Sequence, residues 1–338
     1  MSGGGAAQCH RTASEGKPPR SAARSGGLAS PGPRGYAKGT GQQGADVDFR
    51  AILMGLAFAL MWSSAFTSAR MIVLDAPPLT ALAIRFLISG IIGIAIARAL
   101  GQSWSLTPAQ WRATALFGVS QNAMYLGLNF MAMQTIEAGL AAIIASSMPL
   151  MVAAASWVFL RERLRPLALA GLLAGFAGVS LIMGMRLGAG VDLYGLTLCV
   201  IGVLALTVAT LSVRTASATG GNLLMVVGLQ MLIGAAALAV PAVLFESWEV
   251  TWTPRLIAAF TYTTLIPGLA ATWVWFLLVA RIGAIRAATF HFLNPFFGVV
   301  IAAILLNEAL GIFDVIGVLV IMAGILAVQI ARRPQRRG

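Results

Sequence analysis

The sequence is poor in charged residues, which make up 10% of its 338 residues, whereas hydrophobic residues make up 59%. A soluble domain carries about 25% charged residues. This chain therefore cannot cover a water-facing surface, which excludes a soluble enzyme, and the same composition excludes disorder over the whole length. Cysteine is also scarce. Cys9 lies in a polar tail and Cys199 in an apolar run, which excludes a disulfide scaffold and a Cys-rich zinc site.

Acidic residues are few, and the formal net charge of +12 raises nucleic-acid binding as a hypothesis. We reject it because the basic residues lie in tails and in short loops between apolar runs, which is a signal of membrane topology. Residues 1–48 are rich in Gly, Ser, Ala and Pro and have no apolar core for a signal peptide. They are predicted to be a disordered basic tail or an over-extended start, and residues 331–338 a basic cytoplasmic tail.

Long apolar runs fill the chain from residue 51 onwards, and a helix needs about 20 apolar residues to cross a bilayer. The sequence predicts ten membrane-spanning helices, at 51–73, 79–100, 113–134, 138–160, 166–183, 193–213, 222–244, 256–280, 287–306 and 312–330. Runs of 18 to 25 residues are too long for barrel strands. We therefore predict an all-α membrane protein.

The charges of the loops predict the orientation. With a cytoplasmic N terminus, the inner side carries Arg98, Arg112, Arg161, Arg163, Arg165, Arg214, Arg281, Arg286 and the arginines of the C-terminal tail. The opposite side carries Asp75, Glu137, Asp192, Glu246, Glu249, Glu308 and Asp314 against Arg70, Arg186 and Arg255. Because positive loops remain in the cytoplasm, both termini are predicted to be cytoplasmic.

The chain contains an internal repeat. A shift of 146 residues places Pro149 on Pro295 and Glu162 on Glu308, and several Gly and Ala residues coincide as well. Each half, 49–183 and 193–330, holds five spans. Because five is an odd number, the second half must be inserted upside down. Inverted repeats around a central site are a transporter design; a duplicated bundle without transport is the alternative.

These features resemble the EamA repeat of the drug/metabolite transporter superfamily. The resemblance rests on Pro149…Glu162 and Pro295…Glu308, each followed by Gly-x6-Gly, on Trp62-Ser63-Ser64 and on Ile84-Arg85-Phe86. It implies ten-helix permeases of the bacterial inner membrane, many of which export amino acids or other small metabolites. The second half departs from the family pattern because it lacks equivalents of Trp62 and Arg85.

Polar residues at lipid level are costly and usually face a cavity or the protein interior. Asn122, Tyr125 and Asn129 recur at the spacing of one helical face in the third span, as do His291 and Asn294 in the ninth. The predicted substrate path comprises Trp62, Ser63, Thr67, Asn122, Tyr125, Asn129, Ser146, Ser147, Trp275, His291 and Asn294. The structural alternatives are hydroxyls bonded within their own helix, interhelical amide contacts and plain tryptophan packing.

Four residues are predicted to act in gating or coupling. Arg85 lies inside the second span, where it either snorkels outward or pairs with Asp75 or a substrate carboxylate. His291 is the one histidine of the apolar region and is a candidate for proton coupling, with a plain hydrogen-bonding role as the alternative. Pro149 and Pro295 each free a carbonyl one turn earlier, which kinks the helix or offers an acceptor.

The sequence thus predicts a secondary transporter that moves small organic metabolites, amino acids or related compounds, outward by alternating access. A passive facilitator or channel, a non-transporting membrane subunit and a membrane enzyme are the alternatives. No protease, zinc-protease or Walker motif occurs, so no enzymatic activity is predicted. The predicted partners are a small-molecule substrate and the lipid bilayer, with protons and a homodimer left open. No nucleic acid, metal or organic cofactor is expected.

Overall fold

The structure is a computed structural model that describes residues 48–215 and 222–331. All regular elements in these ranges are helical. The ten helical spans are α1 (Phe49–Val73), α2 (Pro78–Ala99), α3 (108–132), α4 (Ala138–Phe159), α5 (Pro166–Gly188), α6 (Leu193–Thr215), α7 (Leu223–Phe245), α8 (Pro254–Ile282), α9 (284–306) and α10 (Ile312–Ala331). In the described ranges, nine of them are long and apolar enough to cross a membrane. The other is α3, whose sequence is richer in amide residues.

Four spans contain breaks, and the breaks occur in repeat-equivalent pairs. In α3 a π-helical segment, Gly118–Tyr125, separates Pro108–Phe117 from Leu126–Ala132. In α8 a second π-helical segment, Thr264–Ala270, lies at the position reached by the 146-residue shift. Their coincidence indicates that both halves keep the same backbone irregularity, and π-bulges are frequent at functional sites.

The other pair of breaks lies just before the two repeated prolines. Ser147 interrupts α4 two residues before Pro149, and a 3₁₀ segment, Phe290–Leu293, interrupts α9 before Pro295. A proline lacks the backbone N–H of a regular helical hydrogen bond, and its ring crowds the preceding turn. The two prolines therefore fix bends at matching positions of the two halves.

The two halves meet along two closely packed helix pairs, α2 with α7 and α5 with α10. A Cβ at Gly324 would lie 2.6 Å from the carbonyl oxygen of Gly171, and a Cβ at Gly178 would lie 3.0 Å from that of Gly317. Small residues let membrane helices approach this closely. Because these contacts run in opposite residue order, α5 and α10 are antiparallel, the relation that an inverted repeat requires.

One end of the bundle is closed by paired charges. This closed end consists of the loops 74–77, 133–137, 189–192, 246–253 and 307–311. Asp75 accepts hydrogen bonds from Thr253 at 2.7 Å and from Arg255 at 2.9 Å. The hydrogen bond from Arg255 has the largest effect and, with the one from Thr253, holds the pKa of Asp75 below its ordinary value. Glu246 accepts from two backbone N–H groups in the first turn of α2, at 2.7 and 2.8 Å.

A second group of charges joins the remaining loops of the closed end. Arg186 bridges Glu137 at 2.7 Å and Asp314 at 3.0 Å, which ties α5 to the start of α10. Glu308 accepts from the first two backbone N–H groups of α4 at 2.7 and 2.8 Å. Its carboxylate satisfies donors that a helix start leaves without an intrahelical partner. The closed end is thus held by bonds between loops.

Several predicted boundaries differ from the structure. The third span begins at Pro108 instead of 113, because Thr107 and Gln110 form a capping box at that helix start. The run predicted at 166–183 continues to Gly188, and the ninth span begins at 284 instead of 287. The two predicted tails fall on residues 1–47 and 332–338, which lie outside the described residues. Residues 216–221 and the side chain of Arg214, which is predicted to lie on the inner side, also lie outside them.

Candidate functional site

A cavity of about 430 Å³ lies between the two halves. It is lined by residues of α1, α2, α3, α4 and α6 to α9, whereas α5 and α10 contribute none of its lining residues. It extends to Gln110 near the start of α3 and to Leu223 at the start of α7, where Leu223 is 38% exposed. These helix starts lie at the end of the bundle opposite to the closed end, which we call the open end.

One wall of the cavity is aromatic and surrounds His291. The imidazole ring lies 5.2 Å from the ring of Phe58, 5.2 Å from that of Trp275 and 6.3 Å from that of Trp62, in edge-to-face arrangements. Its Nδ1 atom is 3.0 Å from Nδ2 of Asn294. His291 lies on the 3₁₀ segment of α9, so the break before Pro295 carries a residue that lines the cavity.

The π-helical segment of α3 forms part of the opposite wall. Asn122 and Tyr125 line the cavity from this segment. Nδ2 of Asn122 donates to the backbone carbonyl of Gln230 on α7 at 2.9 Å. Gly234 permits this approach, since a Cβ there would lie 2.4 Å from Cβ of Asn122. Asn122 therefore joins two helices as well as lining the cavity.

Arg85 contributes the cationic group of the cavity. Its side chain is only 7% exposed, and its guanidinium carbon lies 5.2 Å from the centre of the Phe86 ring. The predicted alternative of a pair with Asp75 is wrong, because Asp75 is bonded to Arg255 and Thr253. In the part of the chain that the structure describes, Arg85 forms no salt bridge, and its Nε atom has no hydrogen-bond partner.

A second, smaller cavity of about 60 Å³ continues toward the closed end. It shares Trp62, Arg85 and Tyr125 with the large cavity and reaches Met133. Beyond Met133 stands the closed end, where Arg70 donates to the carbonyl of Met133. The large cavity thus extends from Arg85 to the open end, whereas bonded loops lie beyond the small cavity on the other side of Arg85.

The large cavity brings together part of the predicted site. Its lining includes Trp62, Arg85, Asn122, Tyr125, Ser146, Pro149, Trp275, His291 and Asn294. The hydroxyl of Ser146 donates to the carbonyl of Ala142 in its own helix at 2.6 Å, as the structural alternative supposed. The structure thus places these residues around one space, and their role in transport stays a prediction.

The remaining predicted residues lie elsewhere. The lining of the large cavity does not include Ser63, Thr67, Asn129, Ser147 or Pro295. Asn129 is absent from this lining because the π-helical segment changes the number of residues per turn between Asn122 and Asn129. The prediction that both residues lie on one regular helical face is therefore wrong. Asn129 lines only the small cavity, where its Nδ2 donates to the carbonyl of Tyr125 at 2.8 Å. Ser63 donates to the carbonyl of Asn294 at 3.2 Å, which joins α1 to α9.

Sequence reasoning also missed lining residues. Phe58 and Phe66 look like ordinary apolar residues of α1, and nothing in the sequence separates them from packing residues. Gln121 and Gln230 carried a usable signal, because an amide inside an apolar span is costly unless it faces a cavity or a partner. Within the described ranges, no cluster of three His, Cys, Asp or Glu side chains could hold a metal ion.

Two segments of the chain, residues 49–184 and 193–329, each match the EamA-like transporter family. The chain belongs to the EamA-like transporter family. The two matches follow one another and together cover the ten helical spans except the last residues of α5 and α10. The cavity between the halves is therefore the central cavity of an EamA-like transporter, bounded by both repeats.

Named relatives are transporters as well. The uncharacterized transporter YvbV of Bacillus subtilis (strain 168) is 25% identical over 85% of this chain and 94% of its own. The aromatic amino acid exporter YddG of Ancylobacter novellus is 31% identical, over 41% of this chain and 47% of its own. A solved crystal structure can be superposed on this chain with a TM-score of 0.61. The superposition covers 84% of this chain and 99% of the other, at 22% sequence identity, and shows that the two have the same fold.

Proposed function

We propose that this EamA-like protein is a secondary transporter, and not an enzyme, that exports small organic metabolites such as amino acids or related compounds. The observation that carries the proposal is the cavity of about 430 Å³ between the two repeats. It reaches the open end, and bonds between loops close the bundle beyond Arg85. A carrier that works by alternating access must be able to adopt such a one-sided state.

The charges of the loops support the outward direction of this proposal. The loops of the open end are rich in arginine and those of the closed end are acidic, and positive loops favour the cytoplasmic side of a bacterial inner membrane. In the proposed orientation the open end therefore faces the cytoplasm. A cavity that opens toward the cytoplasm can load a cytoplasmic solute. The aromatic wall and the name of the relative YddG support an amino acid or a similar metabolite as the cargo.

Proton coupling through His291 is part of the proposal. Histidine titrates near neutral pH when its surroundings permit, and this one lines the cavity that the solute would occupy. Its contact with Asn294, which also lines the cavity, gives substrate binding a direct effect on the hydrogen bonds of the imidazole. A passive facilitator would use the same cavity without this coupling.

The test is uptake of radiolabelled amino acids by proteoliposomes that contain the purified protein. Ala113→Trp places a bulky ring near the mouth of the cavity and should abolish uptake. Ala170→Trp puts the same ring on the exposed surface of α5, which does not line the cavity, and should leave uptake unchanged. The proposal fails if no solute of the panel is taken up, or if both variants behave alike.

A further inference from the structure

The central cavity has an unbalanced charge. Arg85 is the one Arg, Lys, Asp or Glu side chain among the described residues that line it. The repeat partner of Arg85 is Met231, so the second half supplies neither a second cation nor an acid. A buried guanidinium without an anion is unfavourable, because its desolvation is not offset by an ion pair. The site is therefore built for a ligand that brings a negative group.

Unpaired polar atoms around the cavity support the same conclusion. Buried polar groups in proteins are almost always hydrogen-bonded, yet Nε of Arg85, Oγ of Ser89 and Oδ1 of Asn294 have no partner among the described residues. Ser89 lies one helical turn after Arg85 on α2, whereas Asn294 lies on α9. Of these three residues, Arg85 and Asn294 line the large cavity, so one donor group on α2 and one acceptor on α9 are left for a ligand.

The rest of the wall determines what the remainder of the ligand must be. The rings of Phe58, Trp62 and Trp275 surround His291, whose own ring contacts Asn294. These rings offer a large apolar surface, and no acidic side chain of the lining is available to hold a second positive charge. A cationic or strongly polar side chain would lose its hydration here without compensation.

We propose that Arg85 binds the carboxylate of the transported solute and that the solute is a monocarboxylate with an apolar, ring-sized remainder packed on the aromatic wall. In a zwitterionic solute, the ammonium group would donate to Oδ1 of Asn294. Arg85 is then the residue that selects for charge, and cations and carboxamides are rejected. This inference rests on the proposed function and specifies its substrate class.

The test compares matched probes in proteoliposomes and in a thermal-shift assay. The probes are L-phenylalanine, L-phenylalaninamide and phenethylamine, which share the ring and differ in the carboxylate. We expect phenylalanine to be transported and to raise the Tm, and the two cations to do neither. Arg85→Gln should lower the transport efficiency for phenylalanine about 10–100-fold, the range for one charged hydrogen-bonded contact. Arg85→Lys, which keeps the charge but not the planar fork, should fall in between.

Arg98→Gln is the matched control, because Arg98 lies near the open end of α2 against Trp104 and is not part of the cavity lining. Its transport should equal that of the unchanged protein. Equal transport of phenylalanine and its amide would overturn the inference and leave the proposed function standing. Arg85-dependent binding of phenylalanine without any transport would support the inference and contradict the function. A protein that neither binds nor transports phenylalanine would overturn the inference.

Discussion

Glu308→Ala is predicted to open the closed end. Glu308 accepts the first two backbone N–H groups of α4 at 2.7 and 2.8 Å from a half-buried position between α9 and α10. Hydrogen bonds to a charged group contribute about 1.5–3 kcal/mol each. The burial of the carboxylate opposes them and raises the pKa of Glu308. We therefore expect a net loss of about 1–3 kcal/mol, which shifts the equilibrium toward the opposite-facing state roughly 5–150-fold.

The assay is labelling of one introduced cysteine. In a background of Cys9→Ser and Cys199→Ala, Ile136→Cys places a thiol in the closed end, where Ile136 is 1% exposed. A membrane-impermeant maleimide, added on the side opposite to the termini, should react much faster in the Glu308→Ala protein. Glu308→Gln keeps one acceptor without the cost of burying a charge, so it should stay closed. Glu249→Gln, on an exposed loop residue of the same side, is the control. Labelling at the rate of the control in Glu308→Ala would refute the reasoning.

Three further predictions concern the path and its pH dependence. Asn122→Leu loses the hydrogen bond to the carbonyl of Gln230, which should lower the stability of the protein by only about 0.6–1.7 kcal/mol in the membrane. Transport should fall while abundance on immunoblots stays normal. An equal fall in transport and abundance would indicate that Asn122 serves packing alone. His291→Gln should retain substrate exchange in proteoliposomes but lose its acceleration by an imposed pH gradient, and a full response in the variant would place coupling elsewhere. Since burial raises the pKa of Glu308 above its ordinary 4.5 in the closed state, the protonated carboxyl favours closure more than the ionised one. The closed state is therefore weakened, but still held by the two hydrogen bonds, as the pH rises through the raised pKa. The labelling rate of Ile136→Cys, divided at each pH by the rate of a fully exposed cysteine to remove the effect of thiolate formation, should therefore increase with external pH, and Glu308→Gln should make this ratio flat.

The fold could largely be predicted from the sequence, because span length and repeat spacing are simple physical signals. Runs of apolar residues mark the spans, and the coincidence of Pro149 with Pro295 marks the duplication. The structure adds that the repeat extends to the backbone. Arg161 and Asn307, which are related by the same shift, both have positive φ angles, of 53° and 55°. Positive φ angles are uncommon for residues other than glycine. The residue type of Arg161 therefore gave no indication of this backbone conformation.

The site was harder to predict, because an assumed regular helix assigns side chains to faces that a π-helical segment does not keep. That assumption placed Asn129 on the same wall as Asn122, whereas the structure places it beside the small cavity. The hydrogen-bond partner of a long polar side chain is equally difficult to predict from the sequence. Asp75 is close to Arg85 in the chain, yet the loop between α7 and α8 brings Arg255 to it instead. Long-range packing, not local spacing, decides such pairs.

Counterflow measures the central claim, carrier transport by alternating access, most directly. Proteoliposomes are loaded with unlabelled phenylalanine and diluted into a trace of labelled phenylalanine, and the label inside is followed over time. A carrier alternates between its two sides, so we predict a transient accumulation of label above equilibrium that disappears in the Ala113→Trp protein. Entry that never exceeds equilibrium and does not saturate with phenylalanine concentration would contradict alternating access and indicate a passive channel.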